Sequence, residues 1–495
     1  MTNAQRVDVD AKRRAALAAD FRRLVGERAV IADAPRLAAY DSDGLTAYRQ
    51  APLLVVLPGD AAEVRAVLKY CAQNGVKIVP RGAGTSLSGG SLPVAEGIVL
   101  GVSRLNRIVE IDFANACVVA QPGVANLAIS HAVAGEGFYY APDPSSQIAC
   151  SIGGNVAENS GGVHCLKYGL TTNNILGLEI ALPDGESVRL GGKHQEDAGY
   201  DLLALLAGSE GLLGVVTEAT VRILKAPASA RALLLGFRDA GAAGDCVAAI
   251  IGAGIIPAGL EMMDKPAIDA AEAFVGAGYP TEAGALLIAE LDGAVGDVAE
   301  TSALVANIAQ RCGATSVRAS LNEDERRKFW AGRKAAFPAV GRIAPDYYCM
   351  DGTIPRREIA RVLSEIEALS QRYGLKVANV FHAGDGNLHP LILYDANKPG
   401  ELATAEAFGA DILRLCVAVG GVLTGEHGVG VEKRDLMPTM FNETDLALQG
   451  RVKCAFDPDG RMNPGKVFPT LHRCAEEGRV HVRGGALRHA HLPRF

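Results

Sequence analysis

Apolar positions alternate between two periods along this chain, and the alternation sets the order of its elements. Residues 11–40 read as helical, rich in Ala, Leu and Arg, and the apolar run Pro52-Leu-Leu-Val-Val-Leu57 then reads as a strand. Amphipathic spacing predicts a helix from about Ala61 to Asn74, stopped by Gly75. The strand Val76-Lys-Ile-Val79 follows and opens into Pro80-Arg-Gly-Ala-Gly-Thr-Ser-Leu-Ser-Gly-Gly90. Further β-rich stretches at Gly97–Val102, Ile108–Ile111, Ala116–Ala120 and Val215–Leu224 lack helical spacing. The composition shifts at Lys225-Ala-Pro-Ala-Ser229, and a first domain is expected to span residues 1–225. An α+β region is expected over 226–415, with strands at Gly259–Met263, Asp346–Asp351, Lys376–Phe381 and Pro390–Tyr394 and helices near Glu323–Phe337 and Pro355–Tyr373. A glycine-rich C-terminal segment, 416–471, ends in the turn assembly Asp457–Lys466. The basic stretch 472–495 has little periodicity and reads as a loose tail or docking segment.

Composition narrows the class. With 495 residues, 49% of them hydrophobic and 21% charged, the chain can bury large cores in two or more domains. A net charge of -7, a pI near 5.9 and no basic stripe exclude a nucleic-acid surface, so a small acidic substrate must meet a local positive site. Ten cysteines are scattered singly, with no Cys-x-x-Cys pair. That favours a reducing compartment and leaves no iron–sulfur ligand pattern, so any such centre is expected on a partner. Met1–Arg14 is polar, and no stretch approaches the roughly 20 apolar residues of a membrane span. A cytoplasmic protein that meets a membrane only through partners is expected.

The chemistry is concentrated in His382-Ala-Gly-Asp-Gly-Asn-Leu-His389 and Gly425-Glu-His-Gly428. Strand-like runs flank the first segment, so its glycines should bend a hairpin that brings both imidazoles together. His382, His389 and Glu426 suit a borderline divalent ion, zinc first, with manganese or iron as alternatives, and three ligands leave a coordination position open for substrate. Neighbouring residues of an extended backbone face opposite sides, so Glu426 is expected to ligate and His427 to face the substrate as a base, unless the backbone bends there. A lone histidine is more often a hydrogen-bonded structural residue, but clustering beside glycine turns reverses those odds. The glycines of Arg81–Gly90 can bring backbone N–H groups close to a diphosphate. Ile152–Gly162 and Gly208–Gly214 add two further glycine-dense loops, which suggests one extended cofactor crossed by several backbones. None has the Gly-x-Gly-x-x-Gly form of a Rossmann site.

Together these loops resemble the flavin domain of the vanillyl-alcohol oxidase superfamily, over nearly the whole chain. The C-terminal motifs, with Asn463-Pro-Gly-Lys466, resemble its metal-dependent D-2-hydroxy-acid dehydrogenase branch. Tyr140–Cys150, Phe329–Lys334 and Asp346–Pro355 are similar to the FAD-linked D-subunit family of bacterial glycolate oxidases. The resemblance implies an α+β fold: a two-part FAD-binding domain, an α+β cap domain over the substrate, and a C-terminal segment returning to the flavin. It implies FAD contacts at Arg81, Gly82, Ala83, Gly84, Thr85, Gly89, Pro142, Gly153, Gly154, Asn155, Asn159, Gly161, Gly162, Glu210, Val216 and Asn463. The first loop lacks the histidine to which some relatives attach FAD, so non-covalent FAD is implied. His382, His389 and Glu426 would be metal ligands, His427 the base and Arg333 a bidentate clamp on the substrate carboxylate. The chain lacks the lysine that relatives acting on dicarboxylic hydroxy acids carry near the strand aligned at Cys349, which favours a substrate with one carboxylate, glycolate or D-lactate. Implied partners are a second FAD-domain-like subunit and an iron–sulfur subunit. A stand-alone D-lactate or D-2-hydroxyglutarate dehydrogenase is the alternative, and a non-catalytic assembly subunit is a reading of another class.

Overall fold

The computed structural model describes residues 3–194 and 199–469, so the expectations for the stretch 472–495 lie outside the described residues. The N-terminal helix Asn3–Val25 ends where Gly26 takes a left-handed φ of 86°, and the rest of the expected helical region is short pieces, Val30–Ile31 and Ala34–Leu37 among them. Glycine alone adopts that φ without steric cost, so the break is local chemistry. Leu54–Val56, the helix Ala61–Asn74 and Lys77–Arg81 then form the expected strand–helix–strand unit. The helix is capped by Asp60, which accepts from the Glu63 N–H, and by left-handed Gly75.

The N-terminal half holds two larger sheets and the short pair Phe138–Tyr139 with Leu224–Lys225. Val30–Ile31, Leu54–Val56, Gly97–Gly101 and Lys77–Arg81 lie side by side in that order, and the strands around Ile108–Asp112, Cys117–Ala120, Val215–Arg222, Ile175–Ala181 and Ser187–Gly191 form an antiparallel five-stranded sheet. One loop expectation changes: Ile152–Glu158 is a helix, which turns out of helical backbone at Asn159 with φ 53°. Gly153 is required by packing, since a Cβ there would lie 2.5 Å from the Cβ of Pro122.

From Ser229 the chain builds a seven-stranded sheet. Its order is Ser316–Ala319, Ser229–Phe237, Ala285–Gly293, Gly259–Asp264, Val377–Phe381, Pro390–Tyr394 and Asp346–Cys349. Helices such as Ile359–Tyr373 cover it, burying Ile359, Val362, Leu363, Ile366 and Leu369 at three- and four-residue spacing. Two pairings position the site. Val377–Phe381 and Pro390–Tyr394 form the expected hairpin, and Met262 pairs with Phe381, so Glu261 comes next to His382 across the sheet. The last 50 or so described residues return to the first half: Met462 bridges Ile78, and the N–H of Val431 donates to the Ser88 carbonyl at 3.0 Å. Among the described residues no helix is long and apolar enough to cross a membrane.

Candidate active site

A cavity runs between the N-terminal sheets and the cap. Its walls include Arg81, Gly82, Ala83, Gly84, Thr85, Gly153, Gly154, Asn155, Glu210 and Val216, and it extends to His389, Glu426 and His427. The conformation of the first loop depends on glycine. Gly84 has φ 75°, and a Cβ there would strike the Arg81 guanidinium, which itself donates to the Ser42 carbonyl at 2.7 Å. The remaining expected cofactor residues stand behind this wall. Asn463 Nδ2 donates to the carbonyls of Gly90 and Glu210 at 2.8 and 2.6 Å, Asn159 Oδ1 accepts from the Thr172 N–H, and the Pro142 carbonyl accepts from Asn126. Gly89 packs on Val431, Gly162 on Asp143, and the Gly161 N–H donates to Glu426 Oε2 at 3.0 Å. The cradle fits an extended phosphate-bearing cofactor: backbone glycines face it, and Ser151 Oγ and Glu158 Oε2 at its edge have no hydrogen-bond partner. Burial raises the Glu158 carboxyl well above its ordinary value, with the Glu210 charge adding to the effect.

At the cap end, the hairpin presents two buried imidazoles. His382 Nε2 lies 3.2 Å and His389 Nε2 3.4 Å from Glu426 Oε1, and the three donor atoms fall within 4.8 Å of one another. Neither ring nitrogen of His389 has a hydrogen-bond partner. Buried polar nitrogens are normally paired, so orphaned donors beside a carboxylate are what a divalent ion would satisfy. Burial would depress His382, but the Glu261 charge holds it well above the usual histidine range. Burial would raise Glu426, and the His382 hydrogen bond brings it down to about 2. Glu426 is therefore ionised near neutral pH, and an ion bound here would displace the proton that His382 holds.

His427 departs from the simple expectation of opposite faces. Residues 425–427 bend, because the N–H groups of Gly425, Glu426 and His427 all turn onto the Asp351 carboxylate, at 3.1, 3.2 and 2.9 Å. The His427 ring stacks on His389 with centroids 4.8 Å apart and planes 6° off parallel, so Glu426 and His427 both reach the cavity wall. Asp351, His389 and His427 form a second group within 4.8 Å, sharing His389 with the first. Burial pushes the His427 imidazole down to about 4, which leaves it neutral, with a free lone pair, near neutral pH.

Arg333 does not line this cavity. It is 1% exposed and donates from Nε to Glu261 Oε2 at 2.8 Å, while its neighbour Lys334 and Phe337 face the opening. Sequence reasoning did not single out Glu261, Asp351 or Lys433. Lys433 is buried 3.8 Å from Asp351 and donates to the Gly428 carbonyl at 2.9 Å. The available signal was a carboxylate inside an apolar strand, as in Gly259-Leu-Glu-Met-Met263.

Comparison with known proteins agrees with this arrangement. Residues 52–191 match the family described as FAD binding domain, and residues 226–467 match FAD linked oxidases, C-terminal domain. Glycolate oxidase subunit GlcD of Escherichia coli K12 is 58% identical over 456 residues, covering 92% of this chain and 91% of that protein. D-lactate dehydrogenase of Archaeoglobus fulgidus is 33% identical over 84% of this chain and 92% of its own length. The fold matches the crystal structure of p-cresol methylhydroxylase with a TM-score of 0.79 at 17% identity, over 94% of this chain and 98% of that one. A two-domain fold of FAD-linked oxidase type, with 58% identity along nine-tenths of its length, makes this chain a member of the FAD-linked oxidases, in the family of glycolate oxidase subunit GlcD.

Proposed function

We propose that this chain is the flavin subunit of a glycolate-oxidising complex, in which it converts glycolate to its 2-oxo acid and passes the electrons to partner subunits. The observation that carries the reading is that His389, Glu426 and His427 line one end of the glycine-lined cavity, with His382 grouped behind them against His389 and Glu426. When bound, FAD supplies a two-electron acceptor for the hydride leaving the substrate carbon, and a divalent ion, zinc first, supplies the charge that polarises the substrate hydroxyl. His382, His389 and Glu426 are assigned to hold that ion. His427 takes the hydroxyl proton: its imidazole is neutral at working pH and its Nδ1 has no partner within the protein. Arg333 stands one layer behind the cavity wall, beside the lining residue Lys334, and is assigned to meet the substrate carboxylate from there through Nη1, the guanidinium nitrogen that Glu261 does not engage, while Lys334 adds positive charge at the opening. Phe337 and Pro338 help to close that end against water. The electrons are assigned to leave through a second FAD-domain-like subunit and an iron–sulfur subunit in the cytoplasm, with any membrane contact made by partners.

D-lactate is the second substrate to weigh, since D-lactate dehydrogenase is among the relatives. One experiment tests the reading. The purified chain should be yellow and should bleach anaerobically on adding glycolate, faster than with D-lactate or D-2-hydroxyglutarate. A flavin that none of the three reduces would sink it, and faster bleaching by D-lactate would move the substrate assignment.

A further inference from the structure

A carboxylate stands where the sheet should carry only apolar side chains. Glu261 is fully buried in Gly259–Asp264, between Leu260 and Met262, at the centre of the seven-stranded sheet. An isolated ion there would be costly, so its partners explain its presence. The pairing of Met262 with Phe381 brings it beside His382, and the His382 Nδ1 lies 2.8 Å from Glu261 Oε1 and 3.0 Å from Oε2. From the helix Glu323–Ala339, Arg333 meets the same carboxylate with Nε at 2.8 Å and Nη2 at 2.7 Å. All three side chains are nearly inaccessible to solvent.

We infer that Glu261 is a positioning residue that serves both halves of the site at once, fixing His382 as a metal ligand and Arg333 as the substrate clamp. This rests on the roles proposed above for those two residues. With Nδ1–H donated to Glu261, the lone pair of His382 lies on Nε2, the atom that faces Glu426. The carboxylate thereby selects the ligating tautomer and increases the basicity of the ring. His389 has no such support, since neither of its nitrogens is hydrogen-bonded. The two imidazoles therefore differ: His382 is held by a hydrogen bond on its far nitrogen, and His389 by ring packing against His427 and Phe337. On the other flank, the guanidinium is anchored through one edge, and a planar fork anchored at one edge keeps a fixed direction for the rest.

The test uses flavin-loaded protein and zinc, with affinity measured by chelator competition. Glu261→Gln should bind zinc about 10- to 100-fold more weakly, the usual effect of losing such a carboxylate. The KM for glycolate should rise more than kcat falls, because Arg333 loses its anchor, and bound FAD should remain stoichiometric because Glu261 does not line the flavin cavity. A merely structural residue would lower the melting temperature without moving zinc affinity or splitting KM from kcat. If Glu261→Gln does not fold, Glu261→Asp decides in the same assays: it keeps the charge but is one methylene short of spanning both partners, so zinc affinity should again fall. Zinc affinity and KM within twofold of wild type in a folded variant would overturn the inference. Wild-type protein that takes up no zinc would instead sink the metal-site assignment itself.

Discussion

His382, His389 and His427 stand within a few ångströms of one another, yet each is in a different electrostatic position, and single substitutions should separate them. His382 and His389 both approach Glu426, so His382→Ala or His389→Ala should abolish metal binding and turnover while FAD stays bound, measured by metal analysis and the flavin spectrum. Stoichiometric metal with near-normal turnover would contradict the assignment. His427→Ala should keep metal and FAD but lose roughly 10²–10⁴-fold in kcat, the usual contribution of a positioned general base. Because His427 also groups with Asp351 and His389, loss of metal in that variant would place it among the ligands instead. The three histidines were legible in the sequence because glycine-cushioned histidines are unusual and their spacing matched a hairpin. Glu261 and Asp351 were not, since nothing in a single strand says which carboxylate will face a buried imidazole. For Glu261, the pairing of strands more than 100 residues apart supplies that.

Among the loops and strands, the glycine cradle and the cap are joined by a cluster that the sequence left hidden. His164 Nδ1 lies 2.9 Å from Asp143 on the cavity loop, and Nε2 lies 3.3 Å from Glu290 on a strand of the cap sheet. Glu290 also accepts from Arg326 at 2.6 Å and from the Trp330 indole. Burial opposes protonation of His164, but the Asp143 charge and then the hydrogen bonds raise it to about 10; burial opposes ionisation of Glu290, but His164 brings it down to about 2. The signs give a window. A histidine raised from about 6.5 contributes stability that is complete below pH 6.5 and is lost as pH climbs through about 10, whereas the Glu290 contribution is complete above about 4.5 and is lost towards pH 2. Replacing His164 with Gln should therefore lower the melting temperature by several degrees near pH 6, on the basis of roughly 1.5–3 kcal/mol per charged hydrogen bond, and the deficit should shrink as pH rises towards 10. A deficit independent of pH would show that His164 acts only by packing. The same elements show where local reading fails: Ile152–Glu158 reads as a glycine loop but is a helix, in which Gly153 answers to the packing of Pro122 from another part of the chain.

On the scale of the whole molecule, the cofactor cavity is built from both ends of the chain. Glu210 accepts from the N–H groups of Val429 and Gly430 at 2.7 Å each, and Asn463 ties Gly90 to Glu210. Hydrophobic periodicity revealed the two large regions but not this return, which depends on single hydrogen bonds between distant loops. The interlock bears on how FAD is retained. The first loop offers Arg81-Gly-Ala-Gly-Thr85 and no histidine, and Cys150 at the cavity edge is buried, with its thiol pushed up by burial, so neither supplies an activated nucleophile there. Under the proposed non-covalent binding of FAD, retention is a property of the folded walls. Acid precipitation, which unfolds both ends together, should release all the FAD into the supernatant and leave a colourless pellet. Gly84→Val should weaken retention in the native protein, because the new side chain meets the Arg81 guanidinium at a φ that a β-branched residue adopts only under strain. The measurement is flavin per polypeptide after gel filtration, expected near one for wild type and well below it for the variant. A yellow acid pellet, or full flavin content in Gly84→Val, would mean that a bond or a wall outside this cradle holds the cofactor.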